Sequence, residues 1–226
     1  MNEPVYILHV SDLHFDNELT QAGRKLWKHA IGAKTHDFNR IDALSSKVRH
    51  MKIDGVEPHL LIATGDISTD GREGSLSTAL EFFQEEEVYR GHRLATFGLG
   101  FDRSRRILLP GNHDRYTGLF PIQARSLAFE EIFETPDRYP YSSVYVGSGD
   151  SPVTIIFFVF DSTSTVEGSK EPFWNKIARG EITNAECDWL VAEADRIRSG
   201  GTVKALDGEE LTVDYEQAVK TVLLHH

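Results

Sequence analysis

The sequence predicts a layered α/β domain, and three observations support this prediction. Short apolar runs without strict alternation recur along the chain and are typical of strands that are buried on both faces. Segments with a helical spacing of apolar residues lie between these runs. Each run ends abruptly in polar residues. Because strands and helices alternate, we expect sheets and helices to pack as layers around a common core.

Five apolar runs are the predicted strands. They cover residues 5–10, 59–63, 106–109, 153–160 and 221–224. Residues 141–146 precede the fourth run, and the Gly-Ser-Gly-Asp sequence between the two indicates a β-hairpin with a loop. His9 lies inside the first run, where we expect a buried core histidine rather than a metal ligand.

Three segments between the strands are predicted helices. Residues 37–51 place apolar side chains on one face, and the apolar spacing within residues 76–83 marks a second helix. The third helix begins at the capping-box sequence Thr-Asn-Ala-Glu of residues 183–186, and Gly200 marks its end.

Two segments fit neither pattern. Residues 16–36 are interpreted either as a helical insertion over the site or as a solvated loop. Residues 90–106 contain five arginines against one aspartate. This segment is either a basic lip that contacts a phosphate or a solvated loop, and the loop is the favoured interpretation for both segments.

The composition excludes several classes of protein. The chain has 226 residues, 40% of them hydrophobic, which is typical of one globular domain spanning residues 1–226. The net charge of −11 argues against nonspecific binding to nucleic acid or to anionic membranes. The single cysteine, Cys187, excludes an internal disulfide and a thiolate metal cage. Because the sequence contains no membrane-spanning run and no signal peptide, we expect a cytoplasmic protein.

Four of the predicted strands end in side chains that can bind metal ions. The polar sequences at these ends are Asp-x-His, Gly-Asp, Gly-Asn-His-Asp and His-His. Because ligands of open α/β sheets bind beyond the carboxyl ends of the strands, we expect these side chains to lie close together. Oxygen and imidazole donors without sulfur suit Mn, Fe, Zn or Ni. A carboxylate can bridge two such ions, an arrangement that serves displacement at phosphorus.

The order of these motifs resembles that of the calcineurin-like metallophosphoesterase superfamily. The motifs are Asp12-Leu13-His14, Gly65-Asp66, Gly111-Asn112-His113-Asp114 and a late strand ending in His225. The resemblance covers essentially the whole chain and is greatest to the cyclic-nucleotide-phosphodiesterase-like branch. It implies the metallophosphatase fold, a four-layer α-β-β-α sandwich of two mixed sheets.

The resemblance also implies a centre of two divalent or trivalent metal ions. Asp12 and His14 would bind the first metal, and Asp66 would bridge both metals. Asn112, through its side-chain oxygen, and His225 would bind the second metal. A metal-bound hydroxide would be the nucleophile.

Two further residues of the Gly-Asn-His-Asp motif receive catalytic roles from the resemblance. His113 would contact the substrate, stabilise charge on the phosphoryl group and protonate the leaving oxygen. Asp114 would orient His113, as carboxylates commonly orient catalytic imidazoles.

The family's last motif, Gly-His-x-His, does not follow the final strand of this sequence. We favour the interpretation that the domain is truncated at its C-terminal end. Two alternatives are that the last two histidines are part of a purification tag, or that the chain is a short homologue with an incomplete metal site. The choice between His225 and His226 as the ligand stays open.

The function implied by the resemblance is metal-dependent hydrolysis of a phosphodiester or a phosphomonoester. A small nucleotide or a phosphorylated metabolite is the expected substrate. A DNA-repair-type nuclease and a noncatalytic protein-interaction scaffold are the alternatives. The net charge of −11 argues against the nuclease, and the intact sequence Asn112-His113-Asp114 argues against the scaffold.

Overall fold

The structure is a computed structural model that describes residues 4–16, 38–90, 92–115, 127–149, 151–163 and 182–225. Residues 17–36 of the predicted insertion and the terminal His226 lie outside the described residues, as do the side chains of Arg90 and Arg93. The described residues form a mixed α/β structure with several sheets and helices, which confirms the predicted fold class.

The described elements include every strand and helix that the sequence predicts. The strands are β1 Ile7–Val10, β2 Leu60–Thr64, β3 Glu87–Arg90, β4 Arg93–Phe97, β5 Arg106–Leu109, β6 Tyr141–Val146, β7 Thr154–Val159, β8 Thr202–Lys204, β9 Glu210–Thr212 and β10 Val219–Leu223. The helices are α1 Phe38–Ile53, α2 Glu73–Gln84, α3 Asn112–Arg115, α4 Ala128–Phe133 and α5 Asn184–Arg198. A 3₁₀ turn covers Arg103–Arg105.

Two antiparallel hairpins, β3–β4 and β8–β9, are additions to the predicted elements. The first hairpin corrects the favoured interpretation of residues 90–106 as a loop, because residues 93–97 are a strand paired with residues 87–90. An isolated bridge from Val144 to Ala205 brings the second hairpin beside β6.

The first sheet is entirely parallel and has the strand order β1-β2-β5. Its central strand β2 is buried along its whole length, as predicted. β1 pairs only with β2 within the described residues, and its burial is partial. His9 of β1 is exposed and bonds through Nε2 to the Thr64 hydroxyl at 2.8 Å, so the prediction of a buried core histidine is wrong.

The second sheet has the strand order β10-β7-β6. β6 and β7 form the predicted antiparallel hairpin, and β10 runs parallel to β7. The side chains of Val219 and Val222 in β10 are about half exposed, so burial on both faces does not hold for this strand. Like β1, β10 has one strand partner among the described residues. It is less buried because a strand at the edge of a sheet lacks the neighbouring strand that covers one side of a central strand.

Three apolar clusters connect the layers. Alternate residues of a strand face opposite sides of its sheet, so Leu61 packs toward α1, α2 and α4, whereas Ile62 packs toward the second sheet. Phe157 of β7 belongs to the same cluster as Ile62, and Phe158 packs on its other side with Ile197 of α5. The first cluster thus lies between the helices α1, α2 and α4 and the first sheet, and the second lies between the two sheets. The third lies between the second sheet and α5.

Helix α5 begins at the predicted capping box. The Thr183 hydroxyl accepts a hydrogen bond from the Glu186 backbone N–H at 3.2 Å, and the Glu186 carboxylate accepts one from the Thr183 backbone N–H at 2.7 Å. The helix ends before Gly200, as predicted. None of the helices within the described ranges is long and apolar enough to cross a membrane.

Candidate metal centre

The predicted ligands follow the carboxyl ends of four strands. Asp12 and His14 follow β1, Asp66 follows β2, and Asn112 begins α3 after β5. His225 follows β10 of the second sheet, and its Nδ1 donates to the Thr64 carbonyl oxygen at 2.8 Å. This hydrogen bond connects residues that are 161 positions apart and brings the end of β10 to the end of β2.

The backbone of the two loops after β1 and β2 has an uncommon conformation at three predicted ligands. The φ angle is +56° at Asp12, +48° at His14 and +49° at Asp66, within the left-handed region that non-glycine residues rarely adopt. The Asp12 N–H donates to the Gly65 carbonyl at 3.1 Å, and the His14 N–H donates to the Asp66 carbonyl at 2.9 Å. These hydrogen bonds hold the two loops side by side in the strained conformation.

Two glycines allow the side chains to approach each other closely. A Cβ atom at Gly65, where φ is +71°, would lie 2.0 Å from Cγ of His225. A Cβ atom at Gly111 would lie 2.2 Å from Oδ1 of Asp66. Both glycines are therefore required by the packing of predicted ligands as well as by the turns in which they lie.

Asp66 lies at the middle of the centre. It belongs to one group of potential metal ligands with His14 and His113, and to a second group with Asp12 and His225. Within each group, the candidate ligand atoms all lie within 4.8 Å of one another. The buried Asp66 carboxylate is common to both groups, which is the position that the family resemblance implies for a bridging ligand.

The electrostatics of Asp66 favour its ionised form. Burial by itself raises the pKa of this carboxyl group, but the nearby His225 imidazole, with Nε2 3.7 Å from Oδ1, and the charge and backbone N–H of His113 together lower the pKa below its usual value. The His113 N–H donates to Oδ1 of Asp66 at 3.0 Å. Burial lowers the pKa of His225, whereas the interactions with Asp66 dominate and raise it. An ionised carboxylate surrounded by imidazoles fits a divalent cation.

His113 is held by its backbone and by one ring nitrogen. Its Nδ1 donates to the Thr69 carbonyl oxygen at 2.9 Å. Its ring also contacts the His14 ring edge-on, with ring centroids 4.9 Å apart. The candidate ligand atom of His113 thus lies within 4.8 Å of those of His14 and Asp66, close enough to share a metal ion with them. The resemblance, by contrast, implies that His113 contacts the substrate. Asn112 precedes it, half-buried, at the start of α3.

The expected contact between Asp114 and His113 is corrected by the structure. The Asp114 carboxylate is fully buried and accepts hydrogen bonds from the backbone N–H groups of Ile67, Ser68 and Gly111 at 2.7–3.0 Å. It also accepts one from the Ser68 hydroxyl at 2.8 Å. The ring of His113 is held by the Thr69 carbonyl instead. Asp114 therefore connects the loop after β2 to the loop after β5.

Burial raises the pKa of Asp114 to about 6, against the opposing effect of the hydrogen bonds from Gly111 and Ser68. The negative charge of Asp66 also raises it.

A buried ion-pair network beside the centre is not among the predicted features. Arg115 follows the Gly-Asn-His-Asp motif directly and has no exposed surface. Its guanidinium donates to Oδ2 of Asp161 at 2.6 Å and to Oε2 of Glu130 at 2.6 Å. The Thr163 backbone N–H also donates to Asp161. A basic residue directly after a metal-binding motif is the sequence signal that could have indicated this network.

Comparison with known proteins identifies a family. Residues 5–215 match the family described as calcineurin-like phosphoesterase. The match includes all the predicted site residues from Asp12 to Asp114. No curated protein matches the chain.

Proposed function

Because the chain belongs to the calcineurin-like phosphoesterase family, we propose that it hydrolyses a phosphodiester or a phosphomonoester in a metal-dependent reaction. The observation that carries this proposal is the buried Asp66 carboxylate, which is shared by two groups of potential metal ligands. A carboxylate shared by two ligand groups can bridge two metal ions, and a pair of metal ions can stabilise both the attacking and the leaving oxygen of a displacement at phosphorus.

The metal ions would be held by the five predicted ligands. These are Asp12, His14, Asp66, Asn112 and His225. This set of oxygen and imidazole donors suits Mn, Fe, Zn or Ni. It contains no sulfur, unlike the cysteine-ligated sites that hold structural zinc. When bound, such ions activate water and neutralise charge on a phosphoryl group.

The role proposed for His113 is proton transfer to the leaving oxygen of the substrate. The Thr69 carbonyl fixes a proton on Nδ1 and orients the ring. Nε2 is then the ring nitrogen that exchanges a proton with the substrate. Because the hydrogen bond to Thr69 sets the orientation, this role does not need a contact between His113 and Asp114.

A small phosphorylated substrate is favoured over nucleic acid. The Arg103 guanidinium pairs with Glu134 at 2.7 Å, and Arg105 donates to the carbonyl oxygens of Pro58 and His59. Arg106 is buried. These arginines therefore form no continuous basic surface of the kind that binds a phosphate backbone.

The experiment measures hydrolysis of p-nitrophenyl phosphate and bis-p-nitrophenyl phosphate with added Mn²⁺, together with Mn²⁺ binding by calorimetry. Asp66→Asn is expected to lose both turnover and Mn²⁺ affinity. Asp195→Asn is the matched control, because it removes the same charge from an exposed position on α5. Circular dichroism verifies that each variant is folded.

Each outcome distinguishes among the candidate functions. Turnover of the monoester or of the diester identifies the substrate class. Full activity of Asp66→Asn would refute the bridging role. Folded wild-type protein that binds Mn²⁺ without hydrolysing either ester would favour the scaffold.

The role of His113 is tested in the same assays. His113→Ala should bind Mn²⁺ normally and lose turnover by about 10²–10⁴-fold. Loss of Mn²⁺ binding by this variant would make His113 a ligand.

A further inference from the structure

A cavity of about 380 Å³ lies along β5, which is an edge strand of the first sheet within the described residues, and reaches the start of β6 in the second sheet. It is bounded by the start of β5, the loop between α4 and β6, the start of β6, and the β8–β9 hairpin. Arg106 is the first residue of β5, and Gly111 lies beyond its other end. Leu108 also lines the cavity, and because a strand rises about 3.3 Å per residue, the lining along β5 ends roughly 10 Å before Gly111. None of the predicted metal ligands is among the residues that line the cavity, so the cavity is separate from the candidate metal centre.

Arg106, which lines this cavity, is a buried cation with few partners. The residue is 8% exposed, and its Nη1 donates one hydrogen bond of 3.3 Å to the Phe101 carbonyl. Its Nε is buried and has no hydrogen-bond partner. Among the described residues, no carboxylate forms an ion pair with Arg106, although the charges of Asp102 and Glu134 act on it at longer range. Buried charges are normally paired, so this guanidinium has donors to spare.

Other polar groups of the lining support an anion. Lys204 adds a second cation, and the buried Thr135 hydroxyl has no hydrogen-bond partner. Two carboxylates also line the cavity, but Glu134 is paired with Arg103 at 2.7 Å. Asp137 then supplies one negative charge to the lining, whereas Arg106 and Lys204 supply two positive charges. The balance of charge in the lining is positive.

The remaining lining is apolar in part. Phe133, Ile107 and Leu206 contribute to the walls. The volume lies at the lower end of the range of about 300–1,000 Å³ that is typical of small-molecule pockets. A ligand of this size would combine one charged group with a small apolar body.

We propose that this cavity binds a small organic anion whose carboxylate or phosphate group accepts hydrogen bonds from Arg106. A planar guanidinium with free donors matches the geometry of either oxyanion. Lys204 adds charge at the rim, and the apolar part of the ligand packs against Phe133 and Leu206. Within the arginine-rich segment, Arg106 thus has an anion-binding role, at a site that is separate from the candidate metal centre.

The test is a calorimetric titration of the full chain with phenylphosphonate, benzoate and benzamide. These probes share one ring and differ in the head group, which is phosphate-like, carboxylate or neutral. We expect at least one anion to bind and benzamide not to bind. The tighter anion identifies the class of the natural ligand. Absence of binding by both anions at millimolar concentration would overturn the proposal.

Two arginine variants locate the binding site. Arg106→Gln should weaken anion binding by about 10-fold or more, because a charge-assisted hydrogen bond is lost. Arg105→Gln is the matched control, since its guanidinium bonds to backbone carbonyls of residues 58 and 59 outside the cavity lining. Equal binding by wild type and Arg106→Gln would overturn the proposal.

Two further variants keep the test decisive. Asp66→Asn should bind the anion as wild type does, and loss of binding in this variant would place the anion at the metal centre instead. Lys204→Gln changes an exposed side chain, so we expect this variant to fold, and its affinity for the anion tests the proposal if Arg106→Gln does not fold. It should weaken binding of the anion, and unchanged affinity in a folded Lys204→Gln protein would overturn the proposal.

Discussion

Replacing Asp114 by asparagine tests whether this carboxylate holds the loops of the metal centre together. Oδ2 of Asp114 accepts from the backbone N–H groups of Ile67 and Gly111 at 3.0 and 2.9 Å. Oδ1 accepts from the backbone N–H and the hydroxyl of Ser68 at 2.7 and 2.8 Å. Asparagine has a single carbonyl oxygen, so its NH₂ group must face one of these pairs of donors.

The less costly orientation of the amide is toward Ser68. The Ser68 hydroxyl can rotate to accept from the NH₂ group, but the Ser68 backbone N–H then loses its partner. A hydrogen bond to a charged group contributes about 1.5–3 kcal/mol, and the remaining bonds of Asp114→Asn are made to a neutral acceptor. We therefore expect the free energy of unfolding to decrease by about 2–4 kcal/mol.

Urea unfolding followed by tryptophan fluorescence measures this decrease in metal-free protein. At about pH 8 the wild-type carboxyl group is ionised, because burial raises the pKa of Asp114 only to about 6. Asp195→Asn removes an exposed carboxylate and should change the free energy by less than about 0.5 kcal/mol. A decrease of less than about 1 kcal/mol in Asp114→Asn would refute the reasoning.

Three other tests, each made with a substitution, have expected outcomes. Arg115→Met leaves two buried carboxylates without their partner and should destabilise the protein by about 3–5 kcal/mol in urea unfolding; a smaller loss would show that the pairs are dispensable. Gly65→Ala places a Cβ atom 2.0 Å from Cγ of His225 and should reduce Mn²⁺ affinity in calorimetry. Gly149→Ala is the control: Gly149 also has a positive φ, but a Cβ atom added there would have no neighbour within 4 Å, so this variant should bind Mn²⁺ normally. Thr183→Ala removes the helix cap and should cost about 1 kcal/mol by thermal unfolding, whereas serine should restore most of it.

That the candidate metal ligands lie close together could be predicted because parallel strands end at the same edge of a sheet. Asp12, Asp66 and Asn112 each follow an apolar run, and the runs are neighbours in the first sheet. His225 reaches the same place from the second sheet, and only the resemblance to a family indicated that. The capping box at Thr183 was predictable because its hydrogen bonds are local in sequence.

Features that depend on distant partners could not be predicted in the same way. Asp114 is close to His113 in sequence, but its partners at Ile67 and Ser68 lie on another loop. The exposure of His9 depends on which strands lie beside β1, and the sequence of β1 does not encode that. Strands β8 and β9 have three residues each, which is too short for a periodic pattern.

The left-handed backbone at Asp12, His14 and Asp66 lowers the stability of the protein at three residues that are predicted to bind metal. A left-handed conformation costs a residue with a Cβ atom about 1–2 kcal/mol relative to glycine, so three such positions cost roughly 3–6 kcal/mol. This sum is a large part of the total stability of about 5–15 kcal/mol that is usual for a domain. A library selected for folding alone should accumulate glycine at these positions and lose its ligands, whereas selection for metal binding should keep them.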